Sequence, residues 1–468
     1  MAARSLDEFV HEDNAVRVID VFVDSLDLHA LKFKYAKLSA TGRSPYHPAA
    51  MLKLYIYGYL NRVRSSRRLQ AETRRNMEVM WLLCMLRPDD KTICNFRSDN
   101  AKALKEVFRM FNKLCVKLEL IGGETAAFDG TKVKANNGRK NCHTEKSTKE
   151  TLERLNKRIE GYLKELDEND NKDAEASKTQ ETLEQLTGRK AEAEEILRQI
   201  EENGGEAVCT ADPEAKLMKQ GNGNGYDVCY NVQTAVDEKH GLVMAFEVTD
   251  SCNDLGELSS MAAQTKEIAE AEEMNALADT GYYNGEEVHK CEEAGIHCHI
   301  PAPKPSHTPP DPEFCRENFI YDPENDCVTC PAGNELPYVR TRERNDFRVY
   351  ANREACKHCP MKAKCTKSKT LREIERSPYE QDLAQANARA KENPELFQRR
   401  MELSEHPFGV IKSVWGYGQF LCRGIEKTSG EAALAFLAFN LRRAINIMGI
   451  NNLSDSISRA FSCALCSF

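Results

Sequence analysis

The sequence lacks any apolar run long enough to cross a bilayer. A transmembrane helix needs about twenty consecutive apolar residues, and no stretch of the 468 residues approaches that length. The N-terminus, Met-Ala-Ala-Arg-Ser-Leu-Asp-Glu-Phe, also lacks the apolar centre of a secretory signal. Mean hydropathy is −0.59 and 41% of the residues are hydrophobic, which is enough for at least one substantial core and for two or three domains. We therefore expect a cytoplasmic protein without membrane contact.

Cysteine is abundant, but the context of secreted disulfides is missing. Eighteen cysteines occur without an export signal, and two Cys-x-x-Cys pairs cluster in one region, which favours reduced thiols and metal ligation. Tetrahedral Zn²⁺ takes four thiolates at about 2.3 Å and can substitute for a core that is too small to fold unaided. We predict a structural, non-catalytic zinc site, with free or redox-active thiols as the alternative. The candidate ligands are Cys327, Cys330, Cys356, Cys359 and Cys365.

Net positive charge is lacking as well, since the formal charge is −8. Phosphate contact, however, depends on local charge rather than on the total. Residues 61–117 hold fourteen Lys or Arg against six Asp or Glu, whereas residues 145–206 hold eleven against eighteen. The chain therefore joins a basic module to an acidic one.

The basic module is predicted to be a series of short helices. Apolar spacing indicates a helix over 48–60, arginines crowd 65–76, and Asp89 or Asp90 could cap a further helix through Arg97. This succession fits a helix-turn-helix that lays one helix in the DNA major groove, and a helical bundle with a solvated basic face is the alternative. The side chains predicted to contact DNA phosphates are Arg62, Arg64, Arg67, Arg68, Arg74 and Arg75.

The acidic module has the spacing of a coiled coil. Apolar residues step by three and four over 152–166 and again over 183–200, where Lys190 occupies one seam position. An antiparallel helical hairpin is the simplest structure with this pattern. It could be a dimerisation arm, which leaves a homodimer open, or a solvent-exposed spacer.

The remainder alternates strands and helices, which predicts an α/β architecture. The strand-like runs are 227–236, 242–249, 274–278 and 296–300, and the helix-like runs between them are 255–271 and 285–294. Prolines then crowd 301–312, where regular structure should stop. The segment 221–225 resembles a phosphate loop only superficially, so we interpret it as a connection.

Three carboxylates lie in distinctive short sequence motifs: Asp129 in Ala-Phe-Asp-Gly-Thr-Lys, Asp279 in Ala-Leu-Ala-Asp-Thr-Gly-Tyr, and Glu405 in Glu-His-Pro-Phe-Gly. The two aspartates follow apolar runs typical of buried strands, and open α/β sheets place their chemistry at strand ends. Acidic side chains that share two Mg²⁺ ions about 4 Å apart can activate an attacking oxygen and stabilise a leaving one. The three residues are therefore candidate Mg²⁺ ligands at a phosphodiester-cleaving site.

In these motifs and several others, which are spread over nearly its whole length, the chain resembles the DDE transposases of bacterial insertion sequences. The shared pieces are Asp129-Gly-Thr-Lys, Gly225-Tyr, Tyr230-Asn-Val-Gln with Asp237, Asp279-Thr-Gly-Tyr, and Glu405-His-Pro-Phe-Gly with Lys412 and Arg423-Gly. The resemblance implies that Asp129, Asp279 and Glu405 ligate two Mg²⁺ ions and that Lys412 neutralises phosphate charge. Many relatives carry Arg four residues before the Glu, where this chain has Met401 and places Arg400 one step away.

The resemblance also implies a function. Such a protein would bind double-stranded DNA at terminal inverted repeats, cleave a strand with Mg²⁺, and transfer it to target DNA in the bacterial cytoplasm, in association with the nucleoid. A stand-alone Mg²⁺ nuclease and an inactive or domesticated DNA-binding protein are the alternatives. Trp415 and Tyr417 could stack on an unpaired base, although such aromatics more often belong to the core.

The expected fold class is α/β: a ribonuclease-H-like catalytic core with an N-terminal all-helical DNA-binding domain, an inserted helical hairpin and a cysteine-rich insertion. The expected boundaries are 1–120 for the helical domain, 121–144 and 207–302 for the first part of the core, 145–206 for the hairpin, 303–394 for the cysteine-rich insertion, 395–452 for the helical end of the core and 453–468 for a tail.

Overall fold

The computed structural model describes residues 5–37, 45–168, 173–220, 225–303, 309–342 and 347–464. The predicted connection at 221–224 and part of the proline-rich segment lie outside the described residues. The helices are α1 Ala15–Asp24, α2 Pro48–Leu60, α3 Ser66–Arg75, α4 Met77–Leu82, α5 Asp90–Asp99, α6 Ala101–Lys117, α7 Glu145–Glu168, α8 Asp173–Glu202, α9 Leu258–Ala269, α10 Gly285–Glu293, α11 Arg353–His358, α12 Lys362–Cys365, α13 Glu380–Glu392, α14 Pro394–Phe408, α15 Ile425–Met448 and α16 Ile450–Ala464.

The strands alternate with these helices through the middle of the chain. They are β1 Thr125–Lys134, β2 Cys142–His143, β3 Val208–Cys209, β4 Lys216–Lys219, β5 Tyr226–Asp237, β6 Val243–Thr249, β7 Met274–Leu277, β8 Ile296–His299, β9 Ile320–Asp322, β10 Cys327–Thr329, β11 Glu335–Arg342, β12 Phe347–Tyr350 and β13 Ile374–Arg376. The predicted strands and helices between 226 and 300 agree with the observed bounds to within a few residues.

The chain forms two compact units. The first unit comprises Met1–Gly122, Gly130–Asn253 and Ser404–Phe468, and the second comprises Gly123–Asp129 and Asp254–Leu403. β1 therefore begins in the second unit and ends in the first. The helical segment predicted as a separate domain over 1–120 falls inside the first unit.

The sheet has mixed strand directions. In the first unit β5 pairs antiparallel with β4 and with β6, and in the second unit β1 pairs parallel with β7, which pairs parallel with β8. The strand order is β4–β5–β1–β7–β8, with β6 also on β5. This mixed α/β arrangement is consistent in general with a ribonuclease-H-like core.

The first unit is built around α15. Its residues from Thr428 to Leu441 are buried on every side, as expected for a helix without a polar stripe. It packs against α2, α5, α6 and β6. The apolar run that predicted a long helix here therefore forms the centre of the first unit.

Two buried asparagines join α6 and α15 to β6. Asn440 Nδ2 donates to Asn112 Oδ1 and to the Val243 carbonyl, both at 2.8 Å, and its Oδ1 accepts from the Val243 N–H at 2.9 Å. Asn112 Nδ2 donates to the carbonyls of Val243 and Met244 at 2.9 and 2.7 Å. Neither side chain is exposed to solvent. Each of these hydrogen bonds is therefore made in an apolar environment, where a donor or acceptor left without a partner lowers the free energy of unfolding.

The hairpin α7–α8 packs through apolar residues at the predicted seam. Leu155, Leu186 and Ala193 form its buried core. At its base β2 pairs with β3, and Cys142 and Cys209 form a disulfide in that pair. The prediction that the cysteine pattern favours reduced thiols does not hold for these two residues, because strand pairing brings together cysteines that are 67 positions apart in the chain.

The second unit adds an antiparallel sheet in the order β13–β12–β11–β10–β9. Its core consists of Val328, Leu336, Tyr350 and Ile374. This small sheet occupies most of the predicted cysteine-rich segment.

No single described helix is long and apolar enough to cross a membrane. The pair Ile425–Met448 and Ile450–Phe461 passes the same test of length and composition only when the two helices are joined across a bend of 110°.

The asparagine network yields a prediction about stability. Asn440→Leu should lower the free energy of unfolding by about 3 kcal/mol, because it leaves the buried Val243 N–H and Asn112 Oδ1 without this partner and removes one of the two donors to the Val243 carbonyl. Denaturant unfolding followed by circular dichroism measures this. As a control, Asn452→Leu removes one exposed hydrogen bond to Met448 and should cost about 0.5 kcal/mol or less. Equal losses in the two variants would contradict the prediction.

Candidate active site and DNA-contact residues

The register of β1 and β7 brings two of the predicted carboxylates to the same level. Thr125 pairs with Asn275 and Ala127 with Leu277, and two residues beyond the last pair lie Asp129 and Asp279. Neighbouring strands are about 4.8 Å apart. Asp129 and Asp279 therefore stand at the same level in the second unit. Asp279 lies just beyond the end of β7, whereas Asp129 lies midway along β1, which continues to Lys134 and does not end at the acid as the sequence suggested.

The carboxylate of Asp279 is fixed by the turn that follows it. Its Oδ1 accepts from the Gly281 N–H at 2.7 Å and so caps a short 3-10 turn, Thr280–Tyr282. A Cβ placed on Gly281 would lie 2.9 Å from Asp279 Oδ1 and 3.6 Å from Asp254 Oδ2. Glycine at this position thus allows two carboxylates to approach the same point.

Asp254 was not predicted as a site residue. It lies five residues beyond the end of β6 and just before α9. The sequence did contain a signal, because a polar run follows the strand at 250–254 and strand ends commonly carry functional side chains.

The pKa of Tyr282 is affected by the negative charges of Asp129, Asp254 and Asp279. Its side chain is buried, and burial raises its pKa well above the usual range for tyrosine. The charges of Asp254, Asp129 and Asp279, in that order of effect, raise the pKa further. Like charges disfavour a phenolate, so Tyr282 stays protonated beside an acidic surface of at least three carboxylates.

Glu405, the third predicted ligand, lies on α14 with its side chain exposed. It belongs to the first unit, whereas Asp129 and Asp279 belong to the second. Within the described ranges, no group of three or more His, Cys, Asp or Glu side chains is arranged to hold a metal ion. Binding of Mg²⁺ by the three acids therefore stays a prediction.

Lys412 lies on a π-helical segment, Gly409–Val414, that continues directly from α14. Its Nζ donates to Thr131 Oγ1 at 3.0 Å and to the Lys132 carbonyl at 2.9 Å. Burial lowers the pKa of the Lys412 ammonium. The predicted lysine is thus held against the part of β1 that follows Asp129-Gly130.

Arg64 makes its contacts inside the first unit. Its guanidinium donates to the Gln419 and Gly416 carbonyls at 2.9 and 3.4 Å, pairs with Glu431 at 3.3 Å, and lies over the Tyr417 ring. Buried Glu431 also accepts the N–H groups of Leu421 and Cys422. Arg64 and Glu431 therefore position the segment after the π-helix.

Trp415 and Tyr417 are core residues. Each is only 6% exposed, and the Tyr417 hydroxyl donates to the Tyr59 carbonyl at 2.9 Å. The interpretation that these aromatics belong to the core, rather than stacking on a base, agrees with their burial.

The other predicted DNA-contact arginines face solvent. They are Arg62, Arg67, Arg68, Arg74 and Arg75. Asp89 caps α5 by accepting from the Thr92 N–H at 2.8 Å, as predicted, and Arg67 reaches Asp90 at 3.5 Å. α3 therefore presents an arginine-rich face beside α5.

Arg400 is a second residue for which the sequence gave only a weak indication. Its Nε and Nη1 are buried, and neither has a hydrogen-bond partner in the part of the chain that the structure describes. Its guanidinium lies 5.3 Å from the centre of the Phe397 ring. A half-buried guanidinium with two buried nitrogens left unpaired among the described residues is suited to an anionic partner.

The five predicted zinc ligands do not gather as one group. Cys330, Cys356, Cys359 and Cys365 line one cavity, and Cys327 is not among its lining residues.

Two parts of the chain match models of known families. Residues 4–99 match a transposase domain (DUF772), and residues 329–445 match a transposase DDE domain. Together the matches support a DDE transposase of the insertion-sequence type, which confirms the resemblance drawn from the residue pattern. No curated protein and no solved structure matches the chain.

The close approach at Gly281 yields a prediction about metal affinity. Gly281→Ala should weaken binding of Mg²⁺ or Mn²⁺ by about tenfold or more, because the new methyl group must push the Asp279 carboxylate out of place. Isothermal titration calorimetry measures the affinity. Gly256→Ala is the matched control, since a Cβ there meets no atom within 4 Å. A Gly281→Ala variant that binds the metal as tightly as the control would refute the proposed proximity.

Proposed function

We propose that this protein is a transposase that binds the ends of its element and catalyses Mg²⁺-dependent cleavage and transfer of DNA strands. The observation that carries the proposal is the register that sets Asp129 level with Asp279. The family matches support a transposase in general, and the acidic surroundings of Tyr282 fit a site that attracts divalent cations.

The carboxylates fit Mg²⁺ by their chemistry. Hard oxygen ligands suit this ion, which needs few protein ligands because it retains water and binds substrate phosphate. Asp129 and Asp279 would hold it, with Glu405 as the third acid, and Asp254 is close enough to Asp279 to assist. When bound, the metal supplies charge stabilisation and a more acidic attacking water or hydroxyl.

The remaining roles belong to cationic side chains. Lys412, held by Thr131 and the Lys132 carbonyl, would face phosphate charge from the side of β1. Arg400 would bind a substrate phosphate through its two unused donors. The exposed arginines of α3 would hold the DNA backbone at the element ends, with no base-specific contact assigned to them.

The carboxylates can be tested individually. Asp129→Ala, Asp279→Ala and Glu405→Gln should each lower the rate of Mg²⁺-dependent strand cleavage by at least about a thousandfold, because several kcal/mol of charge stabilisation is lost. Each variant should still bind end DNA. A gel assay with labelled element ends measures both properties.

Glu402→Gln is the matched control for Glu405, because Glu402 is also exposed and lies one turn earlier on α14. It should cleave at the wild-type rate. Undiminished cleavage by any of the three variants would remove that residue from the site.

The arginine-rich face of α3 can be tested through salt dependence. Arg68→Gln combined with Arg74→Gln should weaken DNA binding uniformly across sequences and reduce the slope of log affinity against log salt by about two, because about one unit is lost for each phosphate contact. Fluorescence anisotropy at several salt concentrations measures the slope. Replacing the exposed Arg154 and Arg158 of α7 by Gln removes the same charge and should leave the slope unchanged; an equal effect would assign the binding to overall charge.

A strand-transfer assay distinguishes the proposed function from the two alternatives. A stand-alone nuclease would cut DNA without specific ends and without joining strands, and a domesticated DNA-binding protein would bind ends without cutting. Joined products that depend on both Mg²⁺ and specific ends are expected only from a transposase.

A further inference from the structure

The small antiparallel sheet β9–β13 carries too little apolar core for the segments attached to it. Four buried side chains, from Val328 to Ile374, form that core. α11 and α12 have six and four residues, and neither contains a buried side chain. Apolar burial therefore does not account for the fixed positions of these two helices, and segments of this kind are commonly held by a metal or by disulfides.

The cysteines of this region separate into two groups because of strand geometry. In an extended strand, residues three positions apart point to opposite faces. Cys330 packs with Val328 against the core of the small sheet, so Cys327 points away from it. The Cys-x-x-Cys spacing at 327–330 suggested a pair of metal ligands. Here the two side chains point in different directions, so the two sulfurs do not face the same site.

Four sulfurs surround one cavity. Cys330 directly follows β10, Cys356 and Cys359 come from α11 and its C-terminus, and Cys365 comes from the end of α12. Three separate segments therefore bring their sulfurs to the same cavity.

The charge around the cavity suits an anionic occupant. Arg372 lines the cavity, its Nε is buried, and that atom has no hydrogen-bond partner among the described residues. Lys362 lines the cavity as well. Four thiolates on one Zn²⁺ carry a net charge of −2, which these cations would balance. By contrast, Cys327 is not among the residues that line the cavity.

We propose that Cys330, Cys356, Cys359 and Cys365 form a structural zinc site that fastens α11 and α12 to the small sheet, and that Cys327 is not one of its ligands. The four sulfurs are not drawn together into a metal-holding group in the described structure. Binding would therefore pull them inward, and folding of this region would be coupled to the metal. With all four positions filled by sulfur, the site has no place for substrate.

The full-length protein, purified under reducing conditions, tests the zinc content. Elemental analysis should find about one zinc per chain. Cys330→Ser, Cys356→Ser, Cys359→Ser and Cys365→Ser should each lose the metal, and Cys327→Ser should keep it. Cys327 is the control because it lies in the same short motif as Cys330 and outside the cavity; it is buried, whereas the four proposed ligands are half-buried. A wild-type chain without zinc, or loss of zinc from Cys327→Ser, would overturn the proposal.

Differential alkylation of the wild-type chain covers the case in which serine variants fail to fold. Chelation should increase labelling at Cys330, Cys356, Cys359 and Cys365, as mapped by mass spectrometry. Disulfides among the four cysteines, or unchanged labelling on chelation, would refute the site. These measurements do not involve DNA cleavage, so their outcome is independent of the proposed function.

Discussion

The parallel pairing of β1 with β7 is the constraint on which the candidate active site depends. The two aspartates are 150 positions apart in the chain, yet the register sets them level because every pair from Thr125–Asn275 to Ala127–Leu277 keeps the same offset. The apolar residues of the two strands fix that register, since buried side chains on neighbouring strands determine which residues align. The relative position of the two aspartates is thus set by the packing of β1 and β7.

This arrangement carries an electrostatic cost. Asp129, Asp254 and Asp279 all act on the buried hydroxyl of Tyr282, and like charges in one place destabilise the free protein. The buried Nε and Nη1 of half-buried Arg400, which have no partner within the described ranges, also destabilise the protein, here through unpaired positive donors. Under the proposed function, a divalent cation would offset the repulsion among the aspartates and a phosphate would pair with Arg400, so binding of metal and DNA would stabilise the folded protein.

The sequence predicted the local structure well and the distant contacts only in part. Periodicity located α2, β5, α10 and β8 because apolar spacing directly reflects burial. It did not show that Arg64 would be engaged with Glu431 and the Gln419 carbonyl, since arginines on a basic segment look alike until their long-range partners are known. Asp254 was missed for the same reason, because its neighbour Asp279 is remote in the chain.

The cysteines show where motif spacing is insufficient. A Cys-x-x-Cys motif predicts that both sulfurs bind one metal ion only when the backbone turns between the two residues. At Cys327 the backbone is an extended strand, which points the two sulfurs in different directions. The Cys142–Cys209 disulfide was hidden for the opposite reason, because 67 residues separate the two partners. In both cases the backbone path, which is set by strand pairing, determines which sulfurs lie close together.

The position of that disulfide has a further consequence. The arm formed by α7 and α8 leaves the core at Cys142 and returns at Cys209, where β2 and β3 meet. Because the chain leaves and re-enters the core at the same place, the arm could become longer, shorter or different in evolution while the strands of the main sheet keep their order. The entropic cost of closing a longer loop rises only slowly with its length. The pair β2–β3 is therefore a position at which an inserted segment can change without a change in the main sheet.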